Sequence, residues 1–236
     1  MGQILFDMDG TLIDSTPGLI KAWEQFSEDY NLGDPAKMIH DTHGRRLSDT
    51  LKDICNIQDE KTLLAEIDRF EELVILGGPI ALPGSLDLLQ ALSSEHPSSW
   101  TIVTSDETTS EPIHLATAYY APRALERCGI PLPKVGIVTS NDVENGKPHP
   151  DPYLAGASKC GVDASRCLVV EDAIAGMKSG RNAGSTTVAV CTSTSRVVIE
   201  SSDASPDFII EDLTRMSIRP VEGSRAIEVT IDVRAG

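Results

Sequence analysis

The feature that most limits the folds open to this chain is a regular alternation, from residue 85 onward, of short apolar runs with helix-length amphipathic stretches. The pattern predicts a helix over 85–92, a strand over 100–103, a helix around 116–128 and a strand over 135–138. It continues with a helix over 152–160, a strand over 167–170, a helix over 173–183, and strands over 187–190 and 208–210. Short runs that are mostly apolar, with no polar alternation, suit strands covered on both faces, and the intervening helices provide the crossovers that parallel pairing needs. The expectation is an α/β fold built on a doubly wound parallel sheet. Near the end, Ile227, Val229, Ile231 and Val233 alternate with polar residues, which predicts a half-exposed strand at a sheet edge.

One more apolar run, ILF at 4–6, stands apart from this series. About seventy residues with only helical signals follow it, where a helix and a second strand would keep the alternation. Leu19, Ile20, Trp23, Phe26 and Tyr30 recur at helical spacing and predict a helix over about 17–30. A second helix is expected over 47–54, and a third carries Leu63, Leu64, Ile67, Phe70 and Val74 on one stripe and stops at the glycine pair 77–78. The block reads as an inserted α-helical domain, 16–84, with the turn Leu82-Pro83-Gly84 at its exit. Residues 1–15 and 85–236 then form the α/β domain.

Twenty Lys and Arg against 36 Asp and Glu give a net charge of −16, which argues against nucleic-acid or anionic-membrane partners, since both need a basic face. The five cysteines form no CxxC pair and no zinc-ligand spacing, so they read as reduced structural thiols. No leader, long apolar run or lipidation motif is recognised, and a cytoplasmic monomer is the expectation.

The apolar runs end in residues that carry chemistry. The first leads into Asp7-Met8-Asp9-Gly10-Thr11, and on an extended strand residues two apart face the same way, so Asp7 and Asp9 can address one ligand. The run at 100–103 leads into Thr104-Ser105, where a hydroxyl and backbone N–H groups can hold phosphate oxygens or simply cap the strand end. The run at 167–170 leads into Glu171-Asp172. With Asp7 and Asp9 this pair supplies the oxygen-rich cluster that Mg2+ needs, and it also suits capping of the helix that follows. Between them, Asn145-Gly146-Lys147-Pro148-His149-Pro150 pins one lysine between a glycine turn and prolines, as a positioned cation requires. His149, set among prolines, suits a turn contact. In the helical block, Thr42-His43-Gly44-Arg45-Arg46 concentrates positive charge beside a glycine turn, which makes His43, Arg45 and Arg46 candidates for substrate contact or a solvated ion-paired loop.

FDMDGT, VTS, GKPHPDPY and VVEDA, in that order, resemble the four motifs of the haloacid dehalogenase superfamily, over nearly the whole chain. The resemblance implies a Rossmann-like core with residues 16–84 as a helical cap, and a Mg2+-dependent phosphatase acting on a small phosphorylated metabolite. Within the superfamily KAW, THGRRLSDTL and GKPHPDPY look like fungal 2-deoxyglucose-6-phosphate and glycerol-3-phosphate phosphatases. Carried over by position, Asp7 is the nucleophile and Asp9 the general acid and base, while Thr104, Ser105 and Lys147 hold the transferring phosphoryl group. Asp172 and the Asp7 carboxylate contact the metal directly, Asp9 through its backbone carbonyl, and Glu171 through water. Two departures bear on substrate choice: Asp106 stands where such phosphatases often have glycine, and the spacing to Lys147 is longer by about ten residues. Two other functions compete on this scaffold, a sugar phosphomutase and a catalytically silent binding protein. β-Phosphoglucomutases carry an arginine three residues beyond the cap-loop glycine, where this chain has Leu47.

Overall fold

The computed structural model describes residues 2–41, 47–104, 118–220 and 227–233. The chain begins with β1 (Gln3–Phe6) and a two-residue strand β2 (Ile13–Asp14), then runs through four helices: α1 (Thr16–Tyr30), α2 (Pro35–Asp41), α3 (Leu47–Ile54) and α4 (Glu60–Gly77). It returns through β3 (Ile80–Ala81) and continues with α5 (Ser85–Glu95), β4 (Trp100–Thr104), α6 (Tyr120–Arg127), β5 (Val138–Thr139), α7 (Asp151–Lys159) and β6 (Cys167–Glu171). The last part holds α8 (Ile174–Asn182), β7 (Thr186–Val190), α9 (Arg196–Ser201), β8 (Phe208–Ile210), β9 (Met216–Pro220) and β10 (Ile227–Ile231). No helix among the described residues is long and apolar enough to cross a membrane.

Six strands form one parallel sheet in the order β5-β4-β1-β6-β7-β8. Side-chain alternation divides its strands between two apolar layers. Ile4, Phe6, Trp100, Ile102, Leu168 and Val170 point to one face, in the cluster that also holds Leu89 of α5 and Leu125 of α6. Leu5, Val103, Val138 and Val169 point to the other and pack with Tyr153 and Ala157 of α7. The doubly wound α/β sheet expected from the alternation is therefore present. From β1 the chain crosses to β4 and β5 on one side and to β6, β7 and β8 on the other, so the order reverses at β1. The crevice outside the carboxyl ends of β1, β4 and β6 is where such sheets bind ligands.

The helical segment begins and ends at one place, because β2 and β3 pair antiparallel with Ile13 opposite Ala81 and Asp14 opposite Ile80. Pro17 in the first turn and a left-handed Asn31 bound α1, while the Asp59 side chain caps α4 by accepting from the Thr62 N–H at 2.8 Å. The two helices meet through Trp23, Phe26 and Phe70, with Phe70 5.1 Å from each of the other two rings. Two glycines permit this approach: a Cβ on Gly77 would stand 2.7 Å from the Gly18 Cα, and one on Gly18 would run into the Val74 carbonyl oxygen. Because backbone rather than a flexible side chain blocks the new methyl, Gly18→Ala is expected to cost about 1–3 kcal/mol of stability. Urea denaturation of the purified variant checks this.

Several details differ from the sequence expectation. The strand at 135–138 reduces to Val138–Thr139, because residues 133–136 make a turn in which the Gly136 N–H donates to the Pro133 carbonyl at 3.0 Å and Gly136 takes a φ of 87°. The segment 227–231 is not at the edge of the main sheet; β10 pairs antiparallel with β9 in a separate two-stranded ribbon. Alternation shows that one face is buried but not which strand is the neighbour. The strand β3 and the short helix α2 lie within the block expected to hold only three helices. Of the helix placed at 116–128, Tyr120–Arg127 is helical, and Asp106 with the long segment after Ser105 lies outside the described residues.

Candidate active site

Just beyond β1 the Asp7 N–H donates to the Val170 carbonyl at 2.9 Å, and the Met8 carbonyl accepts from the Leu12 N–H at 2.8 Å. The chain turns at Gly10, whose φ of 83° excludes most side chains and whose Cβ, if present, would collide with the Asp172 carboxylate. The Gly10 N–H donates to the Ile13 carbonyl at 2.8 Å and Asp9 bridges to Ile13, so the loop between β1 and β2 is fixed by its own backbone.

Asp7, Thr104, Lys147, Glu171 and Asp172 are all buried at the carboxyl ends of β1, β4 and β6. The Lys147 ammonium is the centre of the group. It donates to Asp7 Oδ1 at 2.5 Å and to the Val103 carbonyl at 3.1 Å, and lies 2.8 Å from Glu171 Oε1. A lysine with 1% exposure survives such burial only because carboxylates surround it. The segment that carries it is anchored in turn: the His149 carbonyl accepts from Ser179 Oγ at 2.5 Å, and the His149 imidazole meets Asp151 at 3.0 Å. His149 therefore makes the turn contact expected of it.

Glu171 and Asp172 are adjacent in sequence but differently used. Glu171 receives the Tyr153 hydroxyl at 2.8 Å on Oε1, beside Lys147, and the backbone N–H groups of Asp172 and Ala173 at 3.1 Å on Oε2. Gly176 leaves room for it, since a Cβ there would overlap the carboxylate. Asp172 accepts from Thr11 Oγ1 at 2.9 Å and, on its other oxygen, from Ser193 Oγ. Burial, and then the charge of Glu171, push the Asp172 carboxyl up to about 7 against the pull of those hydroxyls.

Asp9 is half-buried on the loop after β1. Ser15 Oγ donates to Asp9 Oδ1 and lies 2.6 Å from the Tyr120 hydroxyl, so a core helix, the start of the helical segment and the β1 loop meet there. Burial and then the nearby charge of Asp9 hold the Tyr120 phenol well above its ordinary value.

Carboxyl oxygens of Asp7, Glu171 and Asp172 lie within 4.8 Å of one another. Among the described residues the site sets four carboxylates against one ammonium. An all-oxygen cluster with excess negative charge, one member of which is driven towards protonation, fits a hard divalent cation such as Mg2+. Glu171 already meets Lys147, the Tyr153 hydroxyl and two backbone N–H groups, whereas Asp172 is held by two hydroxyls.

The structure thus brings together Asp7, Thr104, Lys147, Glu171 and Asp172, with Asp9 on the same loop. Ser105, His43, Arg45 and Arg46 lie outside the described residues. Sequence reasoning did not single out Ser15, Tyr120, Tyr153 or Ser193. Ser15, Tyr120 and Ser193 are common residues outside the four motifs, and Tyr153 closes GKPHPDPY without a chemical signal that marks it apart from a core aromatic.

Residues 2–184 match the family model of haloacid dehalogenase-like hydrolases. The chain is 38% identical over 188 residues to hexitol phosphatase A of Escherichia coli strain K12, spanning 79% of this chain and 81% of that protein. It is 33% identical over 200 residues to glycerol-1-phosphate phosphohydrolase 2 of Saccharomyces cerevisiae, spanning 80% of this chain and 74% of the yeast protein. Among solved structures a hydrolase from Pseudomonas syringae superposes with a TM-score of 0.66 at 30% identity, covering 91% of this chain and 95% of that one. With a family model matched over most of its length, and a sheet, a loop after β1 and a buried lysine arranged as described, this chain belongs to the haloacid dehalogenase-like hydrolase family.

Proposed function

We propose that this hydrolase is a Mg2+-dependent phosphatase that cleaves a phosphate monoester of a small sugar or polyol through a phosphorylated Asp7. The observation that carries this reading is the junction at the carboxyl ends of β1, β4 and β6. There a buried carboxylate is bonded to a buried lysine, a second carboxylate follows two residues on, and an oxygen cluster adjoins them. The relatives named as hexitol and glycerol phosphate hydrolases support the substrate class.

In the reaction, an oxygen of Asp7 attacks phosphorus and the bond to the ester oxygen breaks, while Asp9 gives its proton to the departing alkoxide. Asp9 then takes a proton from water as the water oxygen attacks phospho-Asp7, releasing inorganic phosphate and restoring the Asp7 carboxylate. Lys147 orients Asp7 and sets positive charge against the phosphoryl oxygens, with Thr104 and Ser105 at the neighbouring strand end as hydrogen-bonding partners. When bound by Asp7 and Asp172, Mg2+ supplies further charge neutralisation, which lets a dianionic ester approach a carboxylate. Residues 16–84 serve as a cap that covers the substrate, with His43, Arg45 and Arg46 as its candidate contacts to the leaving group.

Leu47, where β-phosphoglucomutases have their arginine, is buried in the apolar cluster at the start of α3. It gives no cationic grip on a second phosphate at that position, which favours water over a bound sugar phosphate as the acceptor unless Arg45 or Arg46 reaches inward by another route. Phosphorus NMR over a series of polyol and sugar monophosphates with Mg2+ tests the reading. Inorganic phosphate is expected to accumulate, with no isomeric monophosphate even when a bisphosphate activator is added. Isomerisation without phosphate release would make the protein a mutase, and inertness towards every ester would make it a binding protein.

A further inference from the structure

We infer that Tyr120 is a positioning residue for the Asp9 carboxyl, acting through the Ser15 hydroxyl. The inference rests on the assignment of Asp9 as the acid and base. Ser15 Oγ donates to Asp9 Oδ1 and lies 2.6 Å from Tyr120 Oη. Proton counting fixes the direction of this chain. A serine hydroxyl has one proton to give, an ionised carboxylate can only accept, and so the phenol must donate to the serine oxygen. The phenol can do so throughout the working range, because burial and the Asp9 charge keep it neutral.

The consequence concerns which oxygen of Asp9 is reactive. With Asp9 ionised, Oδ1 accepts the serine proton. That bond biases the proton that Asp9 takes up and passes to the leaving group towards Oδ2. Ser15 alone could not hold this arrangement, since without the phenol its hydroxyl is free to turn elsewhere. Tyr120 is itself rigid: it has no exposure, starts α6 and belongs to the main apolar cluster. Its hydroxyl, 105 residues from Ser15 in sequence, thus ties the orientation of the acid to the packed core.

The test compares Tyr120→Phe with the wild-type full chain in Mg2+, using an unactivated alkyl phosphate such as glycerol 1-phosphate and an activated aryl phosphate such as p-nitrophenyl phosphate. Loss of one positioning hydrogen bond is expected to lower kcat on the alkyl ester about fivefold to tenfold. The aryl ester, whose leaving group needs little protonation, should lose less than about twofold, with KM for both nearly unchanged. Equal losses on the two esters, or none, would overturn the inference. Ser15→Ala should repeat the selective loss and Ser15→Thr, which keeps the hydroxyl, should restore much of it; these variants decide the matter if Tyr120→Phe folds poorly. Asp9→Asn measured alongside separates the two levels. If it too impairs both esters equally, the acid and base assignment fails and the inference falls with it. If it is selective and Tyr120→Phe is not, the inference alone fails.

Discussion

Asp7→Asn is expected to remove turnover, by at least about a thousandfold in kcat on every ester, while leaving the protein folded. The amide keeps the planar shape of the carboxylate but has no anionic oxygen with which to attack phosphorus. The usual concern with a buried ion pair is that removing one partner strands the other, at a cost of about 3–5 kcal/mol. Lys147 is protected from this, since Glu171 remains 2.8 Å from its ammonium and the Val103 carbonyl 3.1 Å away. Loss of activity with a nearly unchanged melting temperature separates a missing nucleophile from a collapsed site. Rapid quenching with a phosphorus-labelled ester should trap labelled protein for the wild type and none for the variant. Turnover near the wild-type rate would rule out Asp7 as the nucleophile.

Removal of divalent metal is the second large effect. Activity should vanish in chelator and return with Mg2+, and Ca2+ should inhibit because its longer, looser coordination disturbs in-line geometry. A stability readout independent of turnover follows from Asp172. Its carboxyl titrates near 7 in the metal-free fold against an ordinary 3.8. A group whose folded value is raised contributes stability that is complete below the ordinary value and lost as pH rises through the folded one, here between about 4 and 7. Above that window Asp172 is ionised beside Glu171, and the cation relieves these adjacent buried charges. The rise in melting temperature on adding Mg2+ should therefore be greater at pH 8 than at pH 5. An equal rise at both would show that the cation does not compete with a proton at Asp172, and full activity in chelator would remove the metal from the reaction.

What the sequence by itself determined is whatever depends on short-range geometry. The expectation that Asp7 and Asp9 face one way rests on the two-residue repeat of a strand, and the sheet follows from mostly apolar runs separated by helices. The fixed place of Lys147 follows from the glycine and prolines around it, and the helices α1 and α4 are legible as stripes at helical spacing. The tertiary structure alone decided which partners each of two adjacent acids meets. Glu171 is turned to Lys147 and Tyr153, and Asp172 to Thr11 and Ser193, because those partners arrive from elements up to 161 residues away. The partner of β10 and the contact of Ser15 with Tyr120 were hidden for the same reason. A periodic pattern shows that a face is buried, and a polar residue shows that it needs a partner, but neither shows which distant group the packed fold will supply.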